Sequence, residues 1–156
     1  GVDPRHYLDY VHDIDYSPVE ANPALEASLR ALPGRKLIFT AGDVPHAERV
    51  MERLGVAHHF EAIFDIAAGD YWPKPHKQIY EKLVKQHDVD PTRAAFADDI
   101  SVNLKPAADM GMRTVWIRTD ESVKRAADTD LSHIHHQTDD LATWLADWLA
   151  ERSSKS

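Results

Sequence analysis

Asp98 and Asp99 stand side by side in the stretch Arg93-Ala-Ala-Phe-Ala-Asp98-Asp99-Ile-Ser-Val-Asn103, between a short apolar segment and a helical one. Two adjacent carboxylates repel unless something positive lies between or beside them. A hard cation such as Mg²⁺ is the usual answer, its remaining positions filled by water and phosphate oxygens. The competing reading is structural: Asp99 or Ser101 caps the helix and Asp98 is solvated. On this stretch alone the two readings are even.

The elements around the pair must hold it in place. Residues 94–97 read as a strand, the following helix closes at Gly111, and residues 113–117 read as a second buried strand. In open α/β sheets ligands sit at the C-terminal ends of strands, which is where Asp98 and Asp99 fall. Earlier in the chain, residues 36–40 predict a buried strand, a tight Ala-Gly-Asp turn follows at 41–43, and a helix over 45–54 stops at Gly55. Ala62-Ile63-Phe64 marks a further strand within 60–66. The loop 67–75 is rich in Gly, Pro and aromatic residues and precedes a helix over 76–87 with Ile79, Leu83 and Val84 on one face.

Asn22 caps a helix that carries Pro23 at its first position, and Leu25, Leu29 and Leu32 form its apolar stripe before Pro33-Gly34 ends it. Ahead of it, residues 1–12 suit a short helix, with Pro4 in the first turn, and an extended acidic connector follows from Asp13. Past residue 117 the pattern predicts a short charged helix over 121–127, a His-rich strand at 132–136, and Thr138 capping a terminal helix. In that helix Leu141, Trp144, Leu145, Trp148 and Leu149 recur by threes and fours, as a core-facing stripe does. Residues 151–156 read as a frayed tail. Strands alternating with helices call for a parallel sheet with helices on both faces.

A chain of 156 residues suits one domain, burying about 68–70% of its unfolded surface. The net charge of −8 argues against a nucleic-acid partner, because phosphate contacts need clustered Lys and Arg. Cysteine is absent, which removes disulfides, Cys–zinc sites and thiol nucleophiles together and fits a reducing compartment. No run is long and apolar enough to span a membrane and no signal peptide is evident, so a cytoplasmic protein without a membrane partner is the default.

Ten histidines are many for this length. On a strand His133 and His135 would share a face and could bind a metal jointly with His136 nearby. The stronger reading is a His-rich strand end near the surface, far from the carboxylates. His46, His58 and His59 read as ordinary surface residues, and His12 beside Asp13 is a weakly supported general-base candidate.

Three short motifs lie in order along this frame: Ile38-Phe39-Thr40 at a strand end, Lys74 in Trp-Pro-Lys-Pro, and Phe96-Ala-Asp98-Asp99-Ile-Ser-Val-Asn103. Together they resemble the second, third and fourth motifs of the haloacid dehalogenase (HAD) superfamily of phosphohydrolases, and more narrowly its pyrimidine 5′-nucleotidase-like branch. The resemblance runs over nearly the whole chain and implies an α/β, Rossmann-like parallel sheet. It also implies roles. Thr40, with the backbone at Ala41 and Gly42, would hold the transferring phosphoryl group of a small phosphorylated substrate. Lys74 would neutralise phosphate and the carboxylates around it. Asp98, Asp99 and Asn103 would bind Mg²⁺.

The departures from that family pattern matter as much. The nucleophilic Asp-x-Asp-x-Thr at the tip of a first strand has no counterpart. Asp13-Ile-Asp15 copies the spacing, but it follows Tyr-Val-His instead of an apolar strand, lacks the threonine two residues on and precedes Pro18. Ala41 and Ala97 replace an expected polar and an expected bulkier residue. Residues 1–20 are therefore read as a remnant of cap and connector, and residues 21–156 as a HAD-like core without its first, central strand. That strand would lie between 36–40 and 94–97, so its loss leaves edges that must pair with each other or with a second chain. A homodimer, through those edges or an exchanged N-terminal segment, is the expectation.

Without the aspartate, a covalent route has no support in the sequence. A divalent ion on Asp98 and Asp99 would instead lower the pKa of its bound water and supply hydroxide, with Mn²⁺ or Zn²⁺ as alternatives to Mg²⁺. The opposing expectation is a non-catalytic HAD-derived fragment that only self-associates.

Overall fold

The structure is a computed structural model and describes residues 19–155. The expected N-terminal helix, the connector with Asp13 and Asp15, and His6 and His12 lie outside the described residues. The chain forms two compact units, one running to Tyr71 and resuming at Ala142, the other spanning Trp72–Leu141.

In the first unit, helix α1 covers Pro23–Ala31, and Asn22 Oδ1 accepts from the Leu25 amide at 3.0 Å. The cap satisfies one of the N–H groups that a helix start leaves without a partner. Strand β1 (Leu37–Phe39) leads through a turn to α2 (Val44–Leu54), whose first turn is capped by Asp43 Oδ1 on the His46 amide at 3.0 Å. Gly55 ends α2 at φ 80°, a left-handed conformation that costs glycine least. Strand β2 (Ala62–Phe64) pairs with β1 in parallel, Leu37 opposite Ala62 and Phe39 opposite Phe64. The rings of Phe39 and Phe64 meet edge to face at 5.7 Å.

In the second unit, α3 (Lys77–Gln86) buries Ile79, Tyr80 and Leu83. Strand β3 (Ala95–Asp98) then enters a 3₁₀ turn, Ser101–Leu104, that runs on into α4 (Lys105–Asp109). Strand β4 (Arg113–Ile117), helix α5 (Asp120–Arg125) and strand β5 (His136–Thr138) complete it. The sheet order is β3-β4-β5, all parallel, with Asp98 opposite Trp116 and Ile117 opposite Thr138. Leu104, Trp116 and Ala126 form a buried cluster on which Phe96 and Ile134 pack. The chain then returns to the first unit as α6 (Leu141–Ser154), where Ser28 Oγ of α1 donates to the Ala142 carbonyl at 3.3 Å. This is the α/β class expected, with parallel strands flanked by helices.

Three local expectations are corrected. The His-rich segment is not a strand until His136: a turn held by Asp130, which accepts from the Ser132 amide and hydroxyl at 2.9 Å each, bends the chain before it. Thr138 does not cap the terminal helix. It belongs to the β4–β5 ladder, and its hydroxyl turns the chain onward by accepting from the Asp140 amide at 3.1 Å. Residues 151–154 continue the helix, the guanidinium of Arg152 lying 4.8 Å from the Trp148 ring centroid. Among the described residues, β1 and β3 each have a single ladder partner, and no helix is long and apolar enough to cross a membrane.

Candidate active site

Strand β3 carries Asp98 to its C-terminal end, where the side chain is buried. A carboxylate deprived of water must be compensated by charge and hydrogen bonds. Lys74 Nζ supplies the charge at 2.6 Å from Oδ2. The other oxygen accepts from the Ile100 amide at 2.8 Å and more distantly from Asn103 Nδ2 at 3.4 Å. Asp98 is thus not solvated, as the purely structural reading had it. It is the fixed point around which the 98–103 loop turns.

Lys74 is itself held by an aromatic surface, its ammonium 5.6 Å from the centroid of the Phe96 ring. Tyr80 of α3 packs edge to face on the same ring at 5.9 Å and donates its hydroxyl to the Asn103 carbonyl. Burial, and after it the charge of Asp98, push the Tyr80 phenol far above its ordinary range, so it stays protonated and able to donate. On the far side of the loop, Trp116 Nε1 donates to the Asp99 carbonyl at 2.9 Å, and His133 Nε2 donates to the Ser101 carbonyl at 2.8 Å.

Asp99 is exposed by area, yet its carboxyl is held above the usual carboxylate range. Partial loss of hydration is the first cause, followed by the charge of Asp98 and a hydrogen bond with it, while Lys74 acts in the opposite direction. The pair therefore resists carrying two full negative charges. A divalent cation would remove that resistance, and the two carboxylates with the Asn103 amide oxygen are the hard donors such an ion prefers.

Thr40, Ala41 and Gly42 belong to the first unit, immediately after β1. The Thr40 amide continues the parallel ladder to the Phe64 carbonyl at 3.0 Å, and its hydroxyl oxygen accepts from the Gly42 amide at 3.0 Å. That oxygen's proton remains for an acceptor. A Cβ on Gly42 would sit 3.2 Å from His46 Cδ2 and 3.5 Å from Thr40 Oγ1, so a larger residue there would need the His46 ring to give by a few tenths of an ångström.

The histidines depart most from expectation. His133 and His135 are used singly: Nδ1 of His135 accepts from the Thr114 amide at 2.9 Å, and His133 braces the loop as described. Far from lying away from the carboxylates, His133 contacts a residue three positions beyond Asp98. His58 and His59, read as ordinary surface residues, both approach Glu26.

A family model described as a hydrolase, haloacid dehalogenase-like, matches residues 6–111. The chain belongs to the HAD-like hydrolases. Rat (Rattus norvegicus) bifunctional epoxide hydrolase 2 is 42% identical over 52 residues, which is 33% of this chain and 9% of that protein. Among solved structures, a dehalogenase with an intermediate complex is similar with a TM-score of 0.67 and 15% identity, covering 90% of this chain and 67% of that one. The phosphate complex of CbbY from Rhodobacter sphaeroides is similar with a TM-score of 0.60 and 22% identity, covering 77% of this chain and 52% of that one. At these identities the structural likeness shows the fold. This HAD-like hydrolase spans about half to two thirds of the solved relatives named and a small part of the rat protein.

Within the HAD-like chain, the second unit brings together Lys74, Asp98, Asp99 and Asn103 from the sequence motifs. Tyr80 and Trp116, which brace the same loop, have no motif to mark them, and His133 stands out in the sequence only as a candidate metal ligand, not as the brace it is. Tyr80 lies on the apolar face marked by Ile79 and Leu83, so burial was legible. No pattern in the sequence pointed to its hydroxyl's partner.

Proposed function

We propose that this HAD-like hydrolase cleaves phosphate esters with a divalent cation, Mg²⁺ in the first place and Mn²⁺ or Zn²⁺ as alternatives. The observation that carries the reading is the 2.6 Å contact of Lys74 with Asp98 at the end of β3, beside Asp99. One ammonium and two carboxylates leave a net negative charge, which repels a phosphate dianion. A dication held by Asp98, Asp99 and Asn103 reverses that sign. When bound, such an ion supplies positive charge toward phosphoryl oxygens and acidifies water.

The chain's own residues do the rest. Lys74 neutralises charge as the ester oxygen departs, and Asp98 keeps the ammonium from wandering. Tyr80 and Trp116 hold the backbone at Asn103 and Asp99, which limits the rearrangement that the reaction must drive. Water acidified by the dication is the proposed attacking group. Small phosphorylated molecules are the proposed substrates.

The second reading is a non-catalytic HAD-derived domain that self-associates, and one observation favours it. Ala95 and Ala97 of β3, apolar residues on a strand with one ladder partner among the described residues, are exposed. A homodimer that covers this strand fits either reading, and light scattering at micromolar concentration tests it.

Turnover of an activated aryl phosphate separates the two readings. Hydrolysis that needs Mg²⁺, Mn²⁺ or Zn²⁺, stops with EDTA and is abolished in Asp98→Ala supports the enzyme. No turnover above background with any of the three ions leaves the self-associating domain.

A further inference from the structure

Glu26 is approached by two imidazoles at once. Its Oε1 lies 3.0 Å from His59 Nε2 and 3.4 Å from His58 Nε2, and the three ligand atoms all fall within 4.8 Å of one another. Among the described residues no other three His, Cys, Asp or Glu side chains bring their ligand atoms so close together. The Asn22 cap sets the start of α1 and so places Glu26 in its first turn. Gly55 stops α2, and the chain then forms a tight 3₁₀ turn, Ala57–His59, that carries both histidines. The imidazole centroids are 4.0 Å apart with planes tilted by 42°, so the rings lie side by side without stacking flat. The Glu26 and His59 side chains are 18% and 10% exposed, whereas that of His58 is 64% exposed.

We propose that Glu26, His58 and His59 form a binding site for a first-row transition dication, with Zn²⁺ as the reference ion. The chemistry of the donors selects the class: imidazole nitrogen suits Zn²⁺, Cu²⁺ and Ni²⁺, whereas Mg²⁺ prefers oxygen. Distance agrees. Zinc holds nitrogen and carboxylate oxygen at roughly 2.0–2.2 Å in a tetrahedron, which puts ligand atoms roughly 3.3–3.5 Å from each other. The two observed separations from Glu26, 3.0 and 3.4 Å, lie close to that range, and the two imidazole nitrogens lie within 4.8 Å of each other. Exposed His58 leaves the fourth position to water. The ligands share no residue with Asp98, Asp99 and Asn103, and the site would join α1 to the turn after α2 as a clip on the first unit.

A competitor is present. Arg30 Nη2 lies 2.6 Å from the same Glu26 oxygen, one helical turn along α1, and its side chain is 71% exposed. An exposed surface ion pair is worth little, so displacing the guanidinium into water costs little. Arg30 therefore sets affinity without blocking the site.

The test is calorimetric titration of the chelator-treated full chain with Zn²⁺, in a background carrying Asp99→Asn, which disables the carboxylate pair as a cation site while keeping the buried Lys74–Asp98 contact intact. One equivalent should bind with micromolar or tighter affinity, raise Tm, and be unaffected by excess Mg²⁺. His58→Ala, on an exposed side chain that the fold does not need, should weaken binding at least tenfold, and His59→Ala by as much or more. Arg30→Ala should leave affinity equal or tighter. Absence of binding in this background, binding unchanged in His58→Ala/His59→Ala, or competition by Mg²⁺ would each overturn the proposal. None of these outcomes bears on phosphate-ester hydrolysis at Asp98.

Discussion

Lys74 and Asp98, twenty-four residues apart in sequence, meet at 2.6 Å with side chains only 10% and 5% exposed. An ion pair in such a position is tolerated because each charge replaces the water the other has lost. Removing one partner strips the other buried charge of its closest compensation, a loss that runs to about 3–5 kcal/mol. Lys74→Met and Asp98→Asn should each approach that loss in urea denaturation of the metal-free protein. The double variant should be more stable than the sum of the two losses implies, because no lone charge remains.

Tyr80 makes a separate prediction about the loop. Tyr80→Phe keeps the ring packing on Phe96 but leaves the Asn103 carbonyl without its donor. An unsatisfied buried acceptor costs about 1–3 kcal/mol. Because burial and the charge of Asp98 keep the phenol protonated, the loss should be the same throughout the neutral and mildly alkaline range. Chemical denaturation at two pH values checks this, and a loss that vanishes at the higher pH would contradict it.

His133 should behave as a brace and not as a metal ligand. His133→Ala removes the hydrogen bond to the Ser101 carbonyl and should cost about 1–2 kcal/mol. The amide resonances of residues 100–103 should shift in a two-dimensional NMR spectrum. Zn²⁺ affinity should not change in His133→Ala/His135→Ala, since His135 Nδ1 is already engaged by the Thr114 amide.

Asp90 supplies the pH dependence with the clearest sign. Its carboxyl accepts from Thr92 Oγ1 at 2.7 Å and from the Thr92 amide at 3.0 Å, and these two bonds hold it below the usual aspartate range. A folded pKa below the unfolded one favours the folded state above the unfolded pKa of 3.8, and that benefit disappears as pH falls through the folded value. The group is exposed, so global unfolding will hardly register it. Carboxyl NMR titration should place its midpoint below the ordinary value, and Thr92→Val should move it part of the way back.

Local structure was legible because it follows from neighbours in sequence. Asn22 before Pro23 starts α1, and Gly55 stops α2, since a cap is chosen by residues within one turn of it. The strands at 37–39, 62–64, 95–98 and 113–117 stand where apolar runs stand, and Asp98 sits at a strand tip because the motif puts it there. Local reading failed where a distant partner competed. Thr138 has the chemistry of a helix cap, but the ladder with Ile117 claims it as strand.

What tertiary structure alone decided is how charge and hydrogen-bonding groups are paired. The carboxylate doublet marked a strand end, and the motif resemblance set Lys74 near it, yet nothing in the surroundings said that Asp98 would be buried or that its loop would be braced through Tyr80, Trp116 and His133. His58 and His59 looked like surface residues because solvation is the default for a polar pair in a loop. The chain brings them to Glu26 across thirty-three residues, measured from His59. Periodicity records which face of an element is buried, and it carries no information about which side chain from another element arrives there.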